Sequence, residues 1–213
     1  MEEDKEVDEM RIILASASPR RRELLGQIGL AFEVRLSGVE EKAASAEPGA
    51  MVCGLSAQKA EAVLAECREP QDVLVIGADT VVVLDGRILG KPSCAEEAAR
   101  MLEELSGRTH EVYTGVTLLY RPEAGRYTPG EDGSQKNGFR RKTFYEKTKV
   151  SFYPVSKEEI ALYVNSGECM DKAGAYGIQG LFARYVQGIE GDYNNVVGLP
   201  VGRIYQEVKE WLT

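Results

Sequence analysis

A carboxylate behind an apolar run, a lysine in a Gly-Lys-Pro turn and an arginine cluster behind two serines are the features of this chain suited to chemistry. The cluster is Arg20, Arg21 and Arg22, preceded by Ser16-Ala17-Ser18-Pro19. Ser18 suits a helix N-cap and Pro19 the first helical position. A helix N-terminus offers free N–H groups and a positive dipole end, so it suits phosphate, which guanidinium also grips with paired hydrogen bonds. The same segment also reads as a capped surface helix with solvated arginines. It is not a Walker A loop, because Gly-x-x-x-x-Gly-Lys-Ser/Thr is absent. Asp79 follows the apolar run 73–78 and is expected at a strand end, where open α/β sheets place ligand groups. A plain turn aspartate is the alternative. Lys91, in Gly90-Lys91-Pro92, is a phosphate ligand or a loop lysine. Glu40 and Glu41 read as a solvated acidic loop or as part of a metal site, since Mg²⁺ takes one or two carboxylates plus phosphate oxygens.

Bulk properties narrow the options. The 213 residues suffice for one large α/β domain or two closely packed lobes. The longest apolar runs are far too short to cross a bilayer, and residues 1–10 are acidic and polar rather than a signal peptide. The cytoplasm is therefore the expected compartment, with no membrane partner. A net charge of −8 argues against nucleic acid as the main partner, since that binding needs a Lys/Arg footprint. A phosphorylated small molecule remains open, because anion sites are local. Cys53, Cys67, Cys94 and Cys169 show no paired metal spacing and are expected to be buried or half-buried filler. With a single histidine, His110, the chemistry must rest on carboxylates, lysines, arginines and hydroxyls.

These residues need a scaffold. Residues 1–10 read as a disordered leader and 11–213 as one domain. Strands are expected at 11–15, 32–36, 73–78 continuing through 80–84, 110–120, 143–153 and 181–189. Helices are expected after Ser18 to Gly29, from Pro48 to about Cys67, behind Ser93, behind Ser156, and at the C-terminus with Val201, Ile204, Tyr205, Val208 and Leu212 at helical spacing. Ser93 with Glu96, and Ser156 with Glu159, have the pattern of capping boxes. Residues 121–142 read as a hairpin or insertion. Strands and helices alternate without strict order, so the expected class is α/β with a mixed sheet.

Taken together, the segments resemble one family. Leu14-Ala15-Ser16-Ala17-Ser18-Pro19-Arg20-Arg21-Arg22-Glu23-Leu24-Leu25 is similar to the N-terminal signature of the Maf (septum-formation-related) proteins. Lys59-Ala60, Gly77-Ala78-Asp79-Thr80-Val81-Val82, Gly90-Lys91-Pro92, Ser106-Gly107-Arg108-Thr109-His110 and Tyr113-Thr114-Gly115-Val116 follow in that family's order. So do Asp171-Lys172-Ala173-Gly174-Ala175-Tyr176-Gly177-Ile178-Gln179-Gly180 and Asn194-Asn195-Val196-Val197-Gly198-Leu199-Pro200. The resemblance implies a two-lobed, inosine-triphosphatase-like α/β fold with a central cleft. It implies a pyrophosphatase cutting a nucleoside triphosphate to monophosphate and pyrophosphate with Mg²⁺ or Mn²⁺. Asp79 matches the catalytic carboxylate, and Ser16, Arg20, Arg21, Glu41, Lys59 and Lys91 the phosphate- and metal-side positions, Glu41 with Asp79 on the metal. Arg21, Thr80 and Gln179 match the positions that sort members by base, and resemble the dTTP/UTP branch rather than the 7-methyl-GTP branch. Residues 121–142 are longer than in compact members, and 51–56 match only loosely. The rival reading is a nucleotide-binding regulator of cell division without significant catalysis, which the acidic pI near 5.0 disfavours in its nucleic-acid form. The oligomeric state is open, with a homodimer allowed.

Overall fold

The computed structural model describes residues 10–40, 42–68, 71–123 and 139–212. The leader ahead of Met10, Glu41 and residues 124–138 of the expected insertion lie outside them. Arg11–Ala15 forms strand β1 and Pro19–Gln27 helix α1, with Ser18 as its extended N-cap. Strand β2 (Glu33–Val34) is shorter than expected, because it pairs only with Ile13 and Leu14 of β1. Pro48–Glu66 forms the long helix α2, whose N-cap Glu47 accepts from the N–H groups of Gly49 and Ala50.

Strand β3 (Val73–Leu84) corrects the expected position of Asp79. The strand does not end there; it runs unbroken through Asp79 and Thr80, because β5 (Thr109–Arg121) pairs along almost its whole length. What ends at that level is the neighbour on the other edge. Strand β1 pairs in parallel from Val73 to Gly77 and stops. Strand β4 (Arg87–Leu89) then pairs antiparallel from Val82 to Leu84, after a two-residue turn with Asp85 and Gly86 both at positive φ. Residues 78–81 face the gap between these two partners. The apolar run followed by a carboxylate thus marks a sheet split rather than a strand end.

Helix α3 (Ala95–Leu105) buries Ala98, Met101, Leu102 and Leu105 as its periodicity predicts. Its cap differs. Cys94 is the N-cap, and the Glu97 carboxylate accepts from the N–H and hydroxyl of Ser93, so the expected Ser93–Glu96 box does not form. Cys94 is accordingly exposed, unlike buried Cys67 and Cys169 and half-buried Cys53. Strand β6 (Arg140–Phe152) pairs antiparallel with β5 from Tyr120↔Arg140 to Thr109↔Ser151, so the 121–142 segment is built on a hairpin base. The Ser156–Glu159 capping box does form, opening α4 (Lys157–Asn165). The expected strand at 181–189 begins later. Leu181–Tyr185 is a 3₁₀ turn, and only Val186–Glu190 pairs with β6, as β7. A short helix α5 (Tyr193–Val197), not foreseen from sequence, precedes α6 (Val201–Val208).

Among the described residues the strand order is β2-β1-β3-β5-β6-β7, with β4 against β3, giving one seven-stranded mixed sheet. Helix α2 covers one face, where Ile13, Val73 and Val75 meet Ala60 and Val63. The other helices cover the opposite face, around Leu14, Leu74, Ile76, Leu102 and Ile204. Helix α2 lies close enough that a Cβ on Gly77 would stand 2.3 Å from the Ser56 carbonyl oxygen, and one on Gly115 2.3 Å from the Val52 carbonyl carbon. Among the described residues no helix is long and apolar enough to cross a membrane.

Candidate active site

Alternation along β3 sends neighbouring residues to opposite faces of the sheet. Asp79 points to the α2 side and Thr80 to the other, yet both line one cleft of about 570 Å³, because the sheet is split beside them. The close seat of α2, fixed by glycine at positions 77 and 115, brings Lys59 to the carboxylate. Lys59 Nζ donates to Asp79 Oδ1 over 2.6 Å, with the two side chains only 12% and 15% exposed. That ion pair holds the aspartate in one orientation and is shielded from bulk water.

On the other face Arg21 acts as a brace. Its Nε donates to the Gly198 carbonyl at 2.7 Å, Nη1 to Ser16 Oγ at 3.2 Å and Nη2 to Thr80 Oγ1 at 3.0 Å. Arg21 and Thr80, which match base-sorting positions of the family the sequence resembles, therefore touch directly. Ser16 Oγ also accepts from the Ser18 N–H at 3.2 Å. Both its lone pairs are engaged, and the hydroxyl proton is what it can offer a ligand.

A cationic rim closes the mouth. Arg20 donates to Asp171 at 2.9 Å, and Lys172 donates to Asp171 at 2.7 Å and to the Glu168 carbonyl at 2.6 Å. Burial would raise the Asp171 pKa, but hydrogen bonds from Lys172 and then Arg20 outweigh it and bring the group down to about 2. Lys91 and Gln179 also line the cleft, both exposed. Gln179 sits in the Gly-rich turn, which folds around Glu168. The Glu168 carboxylate accepts from the Leu181 N–H at 3.0 Å and from the Tyr163 hydroxyl at 3.1 Å. A Cβ on Gly180 would stand 2.0 Å from Glu168 Oε1, and one on Gly177 2.7 Å from Lys172 Cε. The glycines make room for the two side chains that hold the loop.

Of the residues expected from sequence, Ser16, Arg20, Arg21, Asp79, Thr80, Lys91 and Gln179 all line the cleft. Lys59 reaches it through Asp79, and Glu41 lies outside the described residues. Sequence reasoning did not single out Glu168, Asp171 and Lys172. The signal available was the segment Glu168-Cys169-Met170-Asp171-Lys172, two acids and a base just before a stretch rich in glycine. His110 does not line the cleft. It is 2% exposed, its Nε2 meets the Tyr176 hydroxyl at 2.9 Å, and burial lowers its pKa to about 4, leaving it neutral at pH 7.

Comparison with known proteins identifies the family of the chain. The family model described as Maf-like protein matches residues 11–211. A dTTP/UTP pyrophosphatase of Agathobacter rectalis is 54% identical over 210 residues, covering 94% of this chain and 97% of that protein. One of Carboxydothermus hydrogenoformans is 50% identical over 202 residues, covering 95% and 99%. Among solved structures, a HAM1 protein from Coxiella burnetii aligns at 12% identity and a TM-score of 0.43, over 94% of this chain and 99% of its own. With a full-length family match and relatives at half identity or better, the chain belongs to the Maf-like protein family.

Proposed function

We propose that this protein is a nucleoside triphosphate pyrophosphatase, acting on dTTP and UTP to release the monophosphate and pyrophosphate. The observation that carries the reading is the meeting, in one cleft, of a shielded Asp79–Lys59 pair, a cationic rim and the Arg21–Thr80 brace. The relatives named dTTP/UTP pyrophosphatase support both the reaction and the pyrimidine preference.

Hydrolysis at the α-phosphorus needs water placed in line while charge on the phosphate oxygens is neutralised. Lys59 engages Oδ1 of Asp79, so Oδ2 is the oxygen that faces the water and, where Asp79 is the base, takes its proton. The Ser16 hydroxyl donates to a phosphate oxygen. Arg20, Lys91 and Lys172 stabilise the pyrophosphate leaving group. For Arg20 and Lys172 this means exchanging part of their bonding to Asp171 for phosphate, which keeps both cations ordered before substrate arrives.

A divalent cation is part of the proposal, and the carboxylate of Asp79 in the cleft supports it. Among the described residues no three acidic or histidine side chains form a cage. Mg²⁺ in nucleotide sites takes one or two carboxylates and completes its shell with phosphate oxygens and water. Asp79, with Glu41, would hold Mg²⁺ or Mn²⁺. When bound, such a cation neutralises phosphate charge and polarises the reacting centre. Both roles open to Asp79, cation ligand and proton acceptor, act through Oδ2. The test is a nucleotide panel with product identification in the presence and absence of Mg²⁺. Pyrophosphate with dTMP or UMP is the expected outcome; inorganic phosphate with a diphosphate would exclude α–β cleavage.

A further inference from the structure

The hydroxyl of Thr80 has little freedom in its hydrogen bonding. Thr114, fully buried on β5 opposite Thr80, donates its single proton to the Asn195 carbonyl oxygen at 2.9 Å, since a carbonyl can only accept. The Thr80–Thr114 contact, also 2.9 Å, must then be made with the proton of Thr80. Arg21 Nη2, a donor only, occupies one of the two lone pairs of Thr80 Oγ1. One lone pair is left. Thr80 lines the cleft, and toward a ligand it is an acceptor and nothing else.

We infer that Thr114 is a positioning residue for base selection: it draws the Thr80 proton away from the cleft, so that the site accepts a pyrimidine whose N3 carries hydrogen. Uracil and thymine present N3–H as a donor. Cytosine presents a bare N3 acceptor, which meets the Thr80 lone pair and is repelled. The relay rests on the pyrimidine-nucleotide reading above, and supplies a means by which the site tells UTP from CTP. The polarity is set by covalent chemistry at its two ends, a guanidinium and a peptide carbonyl. Neither changes role with pH near neutrality.

The experiment compares kcat/KM for UTP and CTP in wild type, Thr114→Val, Thr114→Ala and Thr114→Ser. Wild type should favour UTP by ~10-fold or more. Thr114→Val keeps the shape and removes the hydroxyl, freeing the Thr80 proton to turn into the cleft. The UTP:CTP ratio should then fall at least ~5-fold, the lower end of what an unmatched polar contact costs. Thr114→Ser keeps the relay and should retain the ratio, whatever it loses in stability. Thr114→Ala gives the same reading as Val where the valine variant does not fold. An unchanged ratio in folded Val or Ala variants, or an equal fall in Ser, overturns the inference. Failure of wild type to release pyrophosphate from either nucleotide would instead strike the reaction assigned above. Calorimetric binding of UMP against CMP then tests the relay by itself: UMP must bind tighter in wild type, and the difference must shrink in Thr114→Val.

Discussion

Replacing Gly77 by alanine tests whether the close seat of α2 on the sheet is what builds the Lys59–Asp79 pair. The added Cβ would stand 2.3 Å from the Ser56 carbonyl oxygen and 3.0 Å from both the nitrogen and the Cβ of Ala60. These neighbours are mostly helix backbone, which cannot turn aside as a side chain can. Ordinary contact then requires α2 to withdraw by about 1 Å. Such a shift stretches the 2.9 Å Ser56–Thr117 hydroxyl bond and carries Lys59 off Asp79, whose 2.6 Å bond has little slack. Overpacking of this kind costs about 1–3 kcal/mol, and a weakened buried hydrogen bond about 1 more. For a chain of this size that corresponds to a Tm lower by roughly 4–16 °C. A misplacement of about 1 Å at the reacting groups should lower kcat/KM by ~10²-fold. Urea titration and pyrophosphate release measure the two effects on the same preparation. Gly54→Ala is the internal control. It lies on the same helix with nothing within 4 Å of its would-be Cβ, and alanine there should add up to about 1 kcal/mol through helix propensity. Wild-type stability and turnover in Gly77→Ala would refute the claim that α2 seats the lysine.

Asp79→Asn should stay folded and lose at least ~10²-fold in turnover, with residual cation dependence showing whether Oδ2 served mainly as a ligand or as a base. Gln179→Ala should cost UTP and dTTP roughly 5–150-fold in kcat/KM while sparing a poor purine substrate; equal losses for all nucleotides would make it a structural loop residue. Glu168→Gln removes the charge clamped in the Gly-rich turn, and should raise KM for pyrimidine nucleotides more than it lowers kcat; hydrogen exchange at the Leu181 amide should accelerate. His110 links stability to pH. Its folded pKa of about 4 lies below its ordinary 6.5, so the neutral form stabilises the fold above pH 6.5 and that contribution is lost as pH falls toward 4. Urea titrations should show a loss of about 3 kcal/mol across this window in wild type, absent in His110→Gln.

The linear stretches of the site were legible in the sequence because their chemistry is local. Ser16-Ala17-Ser18-Pro19-Arg20-Arg21 had to start a helix, and the apolar run before Asp79 had to be a buried strand. The sequence could not show that β3 continues through Asp79, because the cause is non-local: β5 supplies a partner through that level while β1 stops short. The same limit applied to Arg21. As one of three consecutive arginines it reads as a phosphate ligand, and by the resemblance also as a base-sorting residue, but its bonds to Gly198, Ser16 and Thr80 depend on chain segments far apart in sequence. Capping boxes show how thin local signals can be. Ser156–Glu159 formed and Ser93–Glu96 did not, because Glu97 was equally placed to bond Ser93 and the helix began at Ala95.

On the function proposed above, the pleat of β3 sets bond breaking at Asp79 and base reading at Thr80 one residue apart but on opposite sides of a sheet. Asp79 depends on α2 for its partner, and Thr80 on α1, β5 and α5 for its own. Changes that retune the nucleobase preference therefore need not disturb the Lys59–Asp79 ion pair, and changes to α2 need not alter what the base encounters. A duplicated copy of such a gene could drift toward a new nucleotide in a few substitutions while continuing to hydrolyse the old one. The scaffold is in this sense prepared for a series of specialised hydrolases, in which the cleavage machinery is inherited intact and only the reading face is renegotiated.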